Sequence, residues 1–405
     1  MSHPASVVLP GSRIGIFGGG QLGRMFTQQA QRSGYRVTVF SPDEHGPAAQ
    51  VADQHLLGDY EDPEAVSRFA RQVDVISLEF ENIPVTAVAR ASQYAPVRPG
   101  REVLAVAQNR LMEKQTLSAA GFPVTPFWPV RSEADLEAAA EQLGWPMILK
   151  TATWGYDGKG QRLVQDLSEA SDAWLQLGPG ELIAEQRISF VSEVSMLVAR
   201  SQRGELVSYP LVWNLHRHHI LDTSVCPVPP SLAATEVAAR EIAAGVAETL
   251  QLCGLMCLEF FVEQRGGLLI NEIAPRPHNS GHLTIEASWT SQFDQQLRAI
   301  CNLPLGSPEL RTPAAMVNLL GDVWEGGVPH WGRALAQPGA YLHLYGKSQP
   351  RSGRKMGHLT VLDQDPKMAA ARARRLRQQL LAGSPQLSDE LMLAPLLESE
   401  IDWPS

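Results

Sequence analysis

Two glutamates, Glu259 and Glu272, sit inside apolar runs on either side of Gln264-Arg265-Gly266-Gly267, whose glycines suit a tight hairpin turn. With Arg265-Gly266 as a two-residue loop, Gln264 faces Gly267, and counting outward sets Glu259 directly opposite Glu272. Directly opposed residues on one face have Cβ atoms about 4.5–5.5 Å apart. Two carboxylates about 4 Å apart repel by about 4 kcal/mol at an effective dielectric of about 20. A cation or a shared proton would relieve that repulsion. Magnesium suits these hard oxygens, with nucleotide phosphates completing its shell. The alternatives are a proton-sharing acid/base pair, or another register that turns one glutamate to solvent.

A second chemical signal is Thr153-Trp154-Gly155-Tyr156-Asp157-Gly158-Lys159-Gly160-Gln161, directly after a strand that ends at Lys150. Its three glycines let backbone amides approach an anion, and Lys159 adds charge. It is not a P-loop, because no Gly-Lys-Ser/Thr ending opens a helix. Lys150 can reach a phosphate as a compact point charge. Just after Glu272 comes Ala274-Pro275-Arg276-Pro277-His278-Asn279-Ser280-Gly281-His282, where the prolines fix an extended path. Arg276 can clamp an oxyanion bidentately, and His278 and Asn279 can donate hydrogen bonds. A further cationic run holds Lys347, Arg351, Arg354 and Lys355. Taken one at a time, the alternatives stay open: a mobile loop and solvated surface charge. His216-Arg217-His218-His219 has no acidic neighbour except Asp222, so we read single donors or surface residues there rather than a transition-metal site.

Gly18-Gly19-Gly20-Gln21-Leu22-Gly23 matches the dinucleotide fingerprint, follows a strand and opens a helix, which makes an NAD-dependent dehydrogenase the rival from another class. Its partner signal is poor. The second strand, Val37-Thr38-Val39-Phe40, ends in Ser41, and Asp43 stands two residues late for a ribose hydroxyl.

These groups must be positioned by a chain of 405 residues, long enough for two or three domains at about 100–200 residues each. Hydrophobic residues at 44% and charged residues at 19% fit a globular protein. A net charge of −9 argues against broad binding to nucleic acid or anionic membrane. No apolar run of about 18 residues could span a bilayer, and no basic-then-apolar start marks a secretory signal. Four cysteines, Cys226, Cys253, Cys257 and Cys301, suggest a reducing compartment, with the cytoplasm the expected address. Cys253 and Cys257 flank an apolar stretch without a second pair, so they read as buried thiols rather than a zinc site.

Strands over 13–17, 36–40 and 73–78 alternate with helices over 21–33 and 63–72, the βαβ rhythm of a parallel sheet. Pro96, Pro99 and Gly100 mark a boundary. A helix over 109–120 opens the next region, and Ser132 with Asp135 resembles a capping box for a helix running to Leu143. Strands are expected over 147–150, 182–186, 193–200 and 205–213, a long alanine-rich helix over 232–252, then strands over 254–263 and 267–273. Beyond Pro304 come short strands and a basic helix over 367–381.

In this order, the features resemble the ATP-grasp superfamily and, within it, the 5-(carboxyamino)imidazole ribonucleotide synthases. The match runs over 13–362. It rests on Gly20-Gln21-Leu22-Gly23-Arg24-Met25, Glu79-Phe80-Glu81-Asn82, the loop Gly155 to Gln161, Asn271-Glu272 with the segment Ala274 to His282, and Gly353-Arg354-Lys355-Met356-Gly357-His358. The resemblance implies an α/β (α+β) protein: a doubly wound domain over 1–108, a two-part ATP-grasp domain over 109–303 and a small C-terminal domain over 304–405. It implies a homodimer that turns ATP, bicarbonate and 5-aminoimidazole ribonucleotide into the carbamate, ADP and phosphate.

Carried over, ATP would meet Arg110, Lys150, Gly155, Tyr156, Asp157, Gly158, Lys159, Gly160, Gln161, Asn271 and Glu272. Glu185, Gln186, Arg187 and Ile188 would form the adenine hinge, with Glu193 at the ribose and His216 nearby. Glu259 and Glu272 become magnesium ligands. Arg276, His278 and Asn279 would bind bicarbonate and the reacting amine, with Lys150 at the phosphoryl group and Tyr156 and Asp157 closing over them. Lys347, Arg354 and Lys355 would take the ribonucleotide phosphate, helped by Gln21 and Glu79. The chain departs from the pattern at Trp154, where many relatives have glycine. At Ala274 many other ATP-grasp enzymes place a metal-binding asparagine, which this synthase group also lacks. His218-His219 has no counterpart. The nearest rival is another carboxylate–amine ligase of the superfamily, such as a formate-dependent glycinamide ribonucleotide transformylase; a non-catalytic nucleotide-binding protein is a third alternative.

Overall fold

A computed structural model of the protein describes residues 7–153, 155, 160–178 and 180–381. Trp154, Tyr156, Asp157, Gly158 and Lys159 lie outside the described residues.

The first sheet is parallel, in the order Gln54–Leu57, Arg36–Ser41, Arg13–Phe17, Val75–Leu78. Both its faces are covered, which explains why its strands read as unbroken apolar runs. Ile14, Ile16, Val37 and Val39 pack with Leu22, Met25 and Phe26 of helix Gln21–Arg32, while Phe17, Phe40 and Ile76 pack with Phe69 on the other side. Strand order reverses beside Arg13–Phe17, the switch point where open α/β sheets bind ligands beyond their carboxyl ends.

A four-stranded antiparallel sheet follows, Phe127–Val130, Leu182–Gln186, Met147–Thr151 and Gln161–Val164, packed with helices Ala134–Leu143 and Leu167–Leu177. The capping box expected at Ser132 takes only half its form. Asp135 accepts from the Arg131 and Ser132 amides at 2.8 Å, and the Ser132 hydroxyl donates to the same oxygen at 3.0 Å.

The largest sheet runs Leu268–Ala274, Gly254–Glu263, Phe190–Arg200, Val212–Arg217, Ile220–Cys226, Ala314–Leu320, Lys355–Leu362, Ala340–Leu344, with Leu206–Ser208 beside Phe190–Arg200. The single strand expected over 205–213 is therefore two pieces. Pro210 lies between them and has no amide to give the ladder. The long helix is shorter than expected, Ala233–Thr249, entered through a 3-10 turn at Pro230–Leu232. Strands beyond Pro304 extend this same sheet, with Val317 opposite both Thr223 and Leu359. One core accordingly runs from Leu258 and Val194 to Val317, Leu359 and Leu376 of helix Pro366–Leu380. Periodicity marks a strand, but the choice of pairing partner is non-local and leaves no local signal. All four cysteines are free thiols. No described helix is long and apolar enough to cross a membrane.

Candidate active site

The hairpin brings Glu259 opposite Glu272, by a route the residue count does not show. The Glu263 amide donates to the Gly267 carbonyl at 2.8 Å, so three residues, Gln264, Arg265 and Gly266, form the loop. Gly266 takes a φ of +80°, which glycine adopts without strain. The longer loop shifts the ladder by one, pairing Phe260 with Ile270. A bulge between Glu259 and Phe260 then shifts it back, with Asn271 the extra residue on the facing strand.

Each carboxylate meets its own cationic or donor group. Glu272 accepts from Arg110 at 3.1 Å, and Glu259 meets His278 Nε2 at 2.8 Å. Ser280 lies against His278 Nδ1, its hydroxyl at 2.8 Å and its amide at 3.3 Å, which turns Nε2 toward Glu259. Burial pushes the His278 imidazole down, but Cys257 and Glu259 more than reverse this and raise it to about 10. Burial works against the charge on Glu259, but His278, His216 and Lys355 outweigh it and hold the carboxyl low. Two hard-oxygen donors on neighbouring strands, one side chain 39% exposed and the other 15%, fit a magnesium ion that draws its remaining ligands from phosphates and water. Among the described residues there is no group of three or more His, Cys, Asp and Glu able to hold a metal. That includes His218 and His219, which lie exposed at a hairpin tip.

Toward the expected nucleotide end, Asn109 caps helix Arg110–Ala119 through the Met112 amide, which aims Arg110 into the cleft. Arg110 also donates to the Gly155 carbonyl at 2.9 Å, linking the glycine loop to Glu272. Lys150 and Glu185, on adjacent strands, form a buried ion pair at 2.6 Å. Burial pushes Glu185 up, but Lys150, Lys114 and Arg110 bring it below the usual carboxylate range. Gln186 continues the strand beside Glu185, its amide donating to the Pro126 carbonyl, and the Arg187 amide donates to the Pro146 carbonyl. Glu193 meets His216 Nδ1 at 2.9 Å, and Phe190 stacks on Phe261 with centroids 4.6 Å apart.

On the substrate side, Arg276 is held in a two-pronged ion pair by Glu81, with its second nitrogen donating at 2.9 Å. The guanidinium expected as an oxyanion clamp is thus already occupied on one edge, by an acid from the first domain. Asn279 is different: both polar atoms of its amide are shielded from solvent and have no partner among the described residues. Such a group costs about 1–3 kcal/mol per lost hydrogen bond; a bound oxyanion would accept from Nδ2, and a hydroxyl on the same ligand would donate to Oδ1. Lys347 donates to the Lys355 carbonyl at 2.7 Å, and Arg354 to the Gln349 carbonyl at 2.9 Å. Lys347 acts electrostatically on Glu79, and Lys355 on Glu259. First sheet, hairpin and C-terminal strands therefore converge on one cleft.

The fingerprint loop holds no room for a pyrophosphate. The Gly20 amide donates to Glu79, whose carboxylate lies against Gly18, Gly20 and Gly23. A Cβ at Gly20 would overlap a Glu79 oxygen, and one at Gly18 or Gly23 would come within 2.8 Å of that side chain. The glycines are needed to admit an internal carboxylate, and the dehydrogenase reading loses its ligand. Burial pushes the Glu79 carboxyl up to about 7, against Gly20, Arg276 and Lys347, which favour its charge. Gln21 opens the helix beside this contact.

Residue spacing missed the roles of Glu81, Glu113, Lys114 and Ser280. Glu81 stands in a motif already singled out, two residues from Glu79, but its arginine lies 195 residues away. Ser280 backs His278 through its hydroxyl at 2.8 Å, and is itself held by a chain of side-chain hydrogen bonds from Ser195, Asn214 and Ser224.

Known proteins resemble this chain over most of its length. The ATP-grasp domain family matches residues 115–293, a ribonucleotide synthetase preATP-grasp domain matches 12–108, and a phosphoribosylaminoimidazole carboxylase C-terminal domain matches 314–372. The N5-carboxyaminoimidazole ribonucleotide synthase of Bacillus subtilis (strain 168) is 40% identical over 358 residues, 88% of this chain and 93% of its own length. The Staphylococcus aureus N5-carboxyaminoimidazole synthetase complexed with ADP superposes with a TM-score of 0.86 at 35% identity, covering 92% of this chain and 99% of that one. The Aspergillus clavatus N5-carboxyaminoimidazole synthase, in complex with ADP and 5-aminoimidazole ribonucleotide, gives 0.82 at 31% identity, covering 90% and 97%. Fold and cleft define an ATP-grasp ligase. By identity and coverage, the chain belongs to the N5-carboxyaminoimidazole ribonucleotide synthase family.

Proposed function

We propose that this chain carries out the reaction of its family, the ATP-dependent carboxylation of 5-aminoimidazole ribonucleotide to N5-carboxyaminoimidazole ribonucleotide in purine biosynthesis, with bicarbonate as the carbon source. The observation that carries the site assignment is Glu259 facing Glu272, followed in sequence by His278 and the unpartnered Asn279 amide.

A bicarbonate oxygen attacks the γ-phosphorus of ATP, the bond to the bridging oxygen breaks, and ADP leaves, forming carboxyphosphate. The exocyclic amine then attacks the carboxyphosphate carbon, the bond from carbon to the phosphate oxygen breaks, and the nitrogen loses a proton. Magnesium held by Glu259 and Glu272 would neutralise triphosphate charge. Lys150 offers a point charge to the phosphoryl oxygens, so catalysis is mostly positioning and electrostatics. Arg110, Asn271, Gly155, Gly160 and Gln161 line the phosphate end, with Gly158 and Lys159 between them in sequence. Glu185, Gln186, Arg187 and Ile188 serve adenine, and Glu193, steadied by His216, serves the ribose.

Asn279 and His278 hold bicarbonate beside Arg276, which Glu81 fixes in place. Lys347, Arg354 and Lys355, with Gln21 and Glu79, receive the ribonucleotide. Water must be kept from carboxyphosphate, which hydrolysis would destroy; Tyr156 and Asp157, outside the described residues, keep the closing role that the resemblance implies. The working form is a cytoplasmic homodimer; the four free thiols favour a reducing compartment.

The deciding experiment measures ADP release with 5-aminoimidazole ribonucleotide, with and without bicarbonate, beside formate with glycinamide ribonucleotide. Bicarbonate-dependent release with the imidazole substrate alone is the expected result. Formate-dependent release, or stabilisation by NADH without any by ATP and magnesium, overturns the assignment.

A further inference from the structure

Strand Leu268–Ala274 is the outermost of the central sheet, so one row of its backbone groups has no neighbouring strand. Near the turn, main chain covers that row: the Ile270 amide donates to the Pro123 carbonyl at 2.8 Å, and the Thr125 amide to the Ile270 carbonyl at 3.3 Å. Beyond Ile270, two side chains take over. Lys114 donates to the carbonyls of Ile270 and Asn271 at 2.8 and 2.6 Å, and Glu113 accepts the Ile273 amide at 3.1 Å.

Consecutive carbonyls of a regular strand point to opposite edges, so one ammonium cannot reach both. The bulge at Asn271 turns two successive carbonyls the same way, and Lys114 grips that conformation specifically. Without the bulge, the ladder set near the turn would place Glu272 opposite Leu258, on the other face of the sheet. Glu113 and Lys114 are 3% and 1% exposed. Removing an acid and an ammonium from water is costly, and their mutual attraction and the backbone groups they hold return only part of that cost. Arg110, Glu113 and Lys114 fall on one face of their helix, at i, i+3 and i+4. That face meets Ile270, Asn271, the Glu272 side chain and Ile273.

We propose that Glu113 and Lys114 are positioning residues for divalent-cation binding: by locking the Asn271 bulge, they keep Glu272 opposed to Glu259. The inference rests on the magnesium reading of those two carboxylates.

The test is Mn2+ binding with saturating ADP, followed by electron paramagnetic resonance, beside calorimetry of metal-free ADP and thermal unfolding, all on the full chain. Lys114→Met is expected to weaken Mn2+ binding roughly tenfold or more, as loss of an outer support of a metal ligand does, with metal-free ADP affinity changed less than about threefold. Lys114→Gln, which can still donate to one carbonyl, should fall between Lys114→Met and the unaltered protein. If Lys114→Met does not fold, Lys114→Gln and Glu113→Gln decide by the same measurement, each expected to bind Mn2+ more weakly. Unchanged Mn2+ affinity in the folded variants overturns the proposal, as does an equal loss of ADP affinity with and without metal. Glu272→Gln separates the two claims: if it leaves Mn2+ binding intact, the carboxylate reading fails and this inference falls with it.

Discussion

The Gly20 amide donates to the Glu79 carboxylate across 59 residues of sequence, so the glycine-rich loop closes on its own chain rather than on a cofactor. Gly20→Ala forces its new methyl into that carboxylate. Overpacking of this kind costs about 1–3 kcal/mol. We expect a lower melting temperature, a higher KM for the ribonucleotide, and no stabilisation by NADH in either form. Protection of the unaltered protein by NADH in a thermal melt would contradict the role assigned to Glu79.

Glu272 is partly exposed and makes one ion pair among the described residues, so Glu272→Gln should cost under about 1 kcal/mol of stability. Its effect on turnover should be far larger, about a hundredfold or more, if loss of a metal ligand removes phosphoryl-charge stabilisation. Bicarbonate-dependent ADP release and a melt on the same sample check both halves. Near-normal turnover would refute the metal assignment.

Asn279 predicts an exchange of function for stability. Among the described residues its amide has no partner for either polar atom, so Asn279→Ala removes an unsatisfied group rather than a bond. The variant should melt at or above the unaltered protein's temperature while losing bicarbonate-dependent turnover. A clear loss of stability in the ligand-free protein would show that the amide is satisfied within the fold.

Burial raises the Glu81 carboxyl, but Arg276 more than reverses this and lowers it from an ordinary 4.5 to about 2. A depressed folded value means the stabilisation is complete above pH 4.5 and lost as the pH falls toward 2. The melting temperature should therefore decline across that window, and decline less in Glu81→Gln. Parallel acid profiles for the two proteins would remove Glu81 as the cause.

His218 and His219 both adopt left-handed backbone, with φ of 50° and 64°, in the turn joining Arg217 to Ile220. Such two-residue hairpin turns favour Asn-Gly, because side chains other than Asn, Asp and Gly are strained there. Replacing the pair by Asn-Gly should raise stability by about 1–2 kcal/mol, read as a higher denaturant midpoint with unchanged slope. An unchanged or lower midpoint would mean the imidazoles contribute contacts that outweigh the strain.

Local chemistry carried much of this protein into view. Apolar runs of Arg13–Phe17 and Gly254–Glu263, the glycines that punctuate them, and the acids of the hairpin formed by Gly254–Glu263 and Leu268–Ala274 were legible because strand period, turn preference and charge repulsion act over a few residues. Even the opposition of Glu259 and Glu272 could be counted, although the count succeeded through two cancelling errors, a three-residue loop and the Asn271 bulge.

Only the tertiary structure decided which group meets which. Glu79 filling the Gly20 loop, Glu81 gripping Arg276, Lys114 and Glu113 holding the bulge, and Val317 joining the central sheet are all contacts between distant segments. A sequence specifies such contacts through the packing of the whole core. An isolated stretch shows that a carboxylate is present, whereas its partner, its exposure and hence its charge arise when separate elements are pressed together and water is driven out.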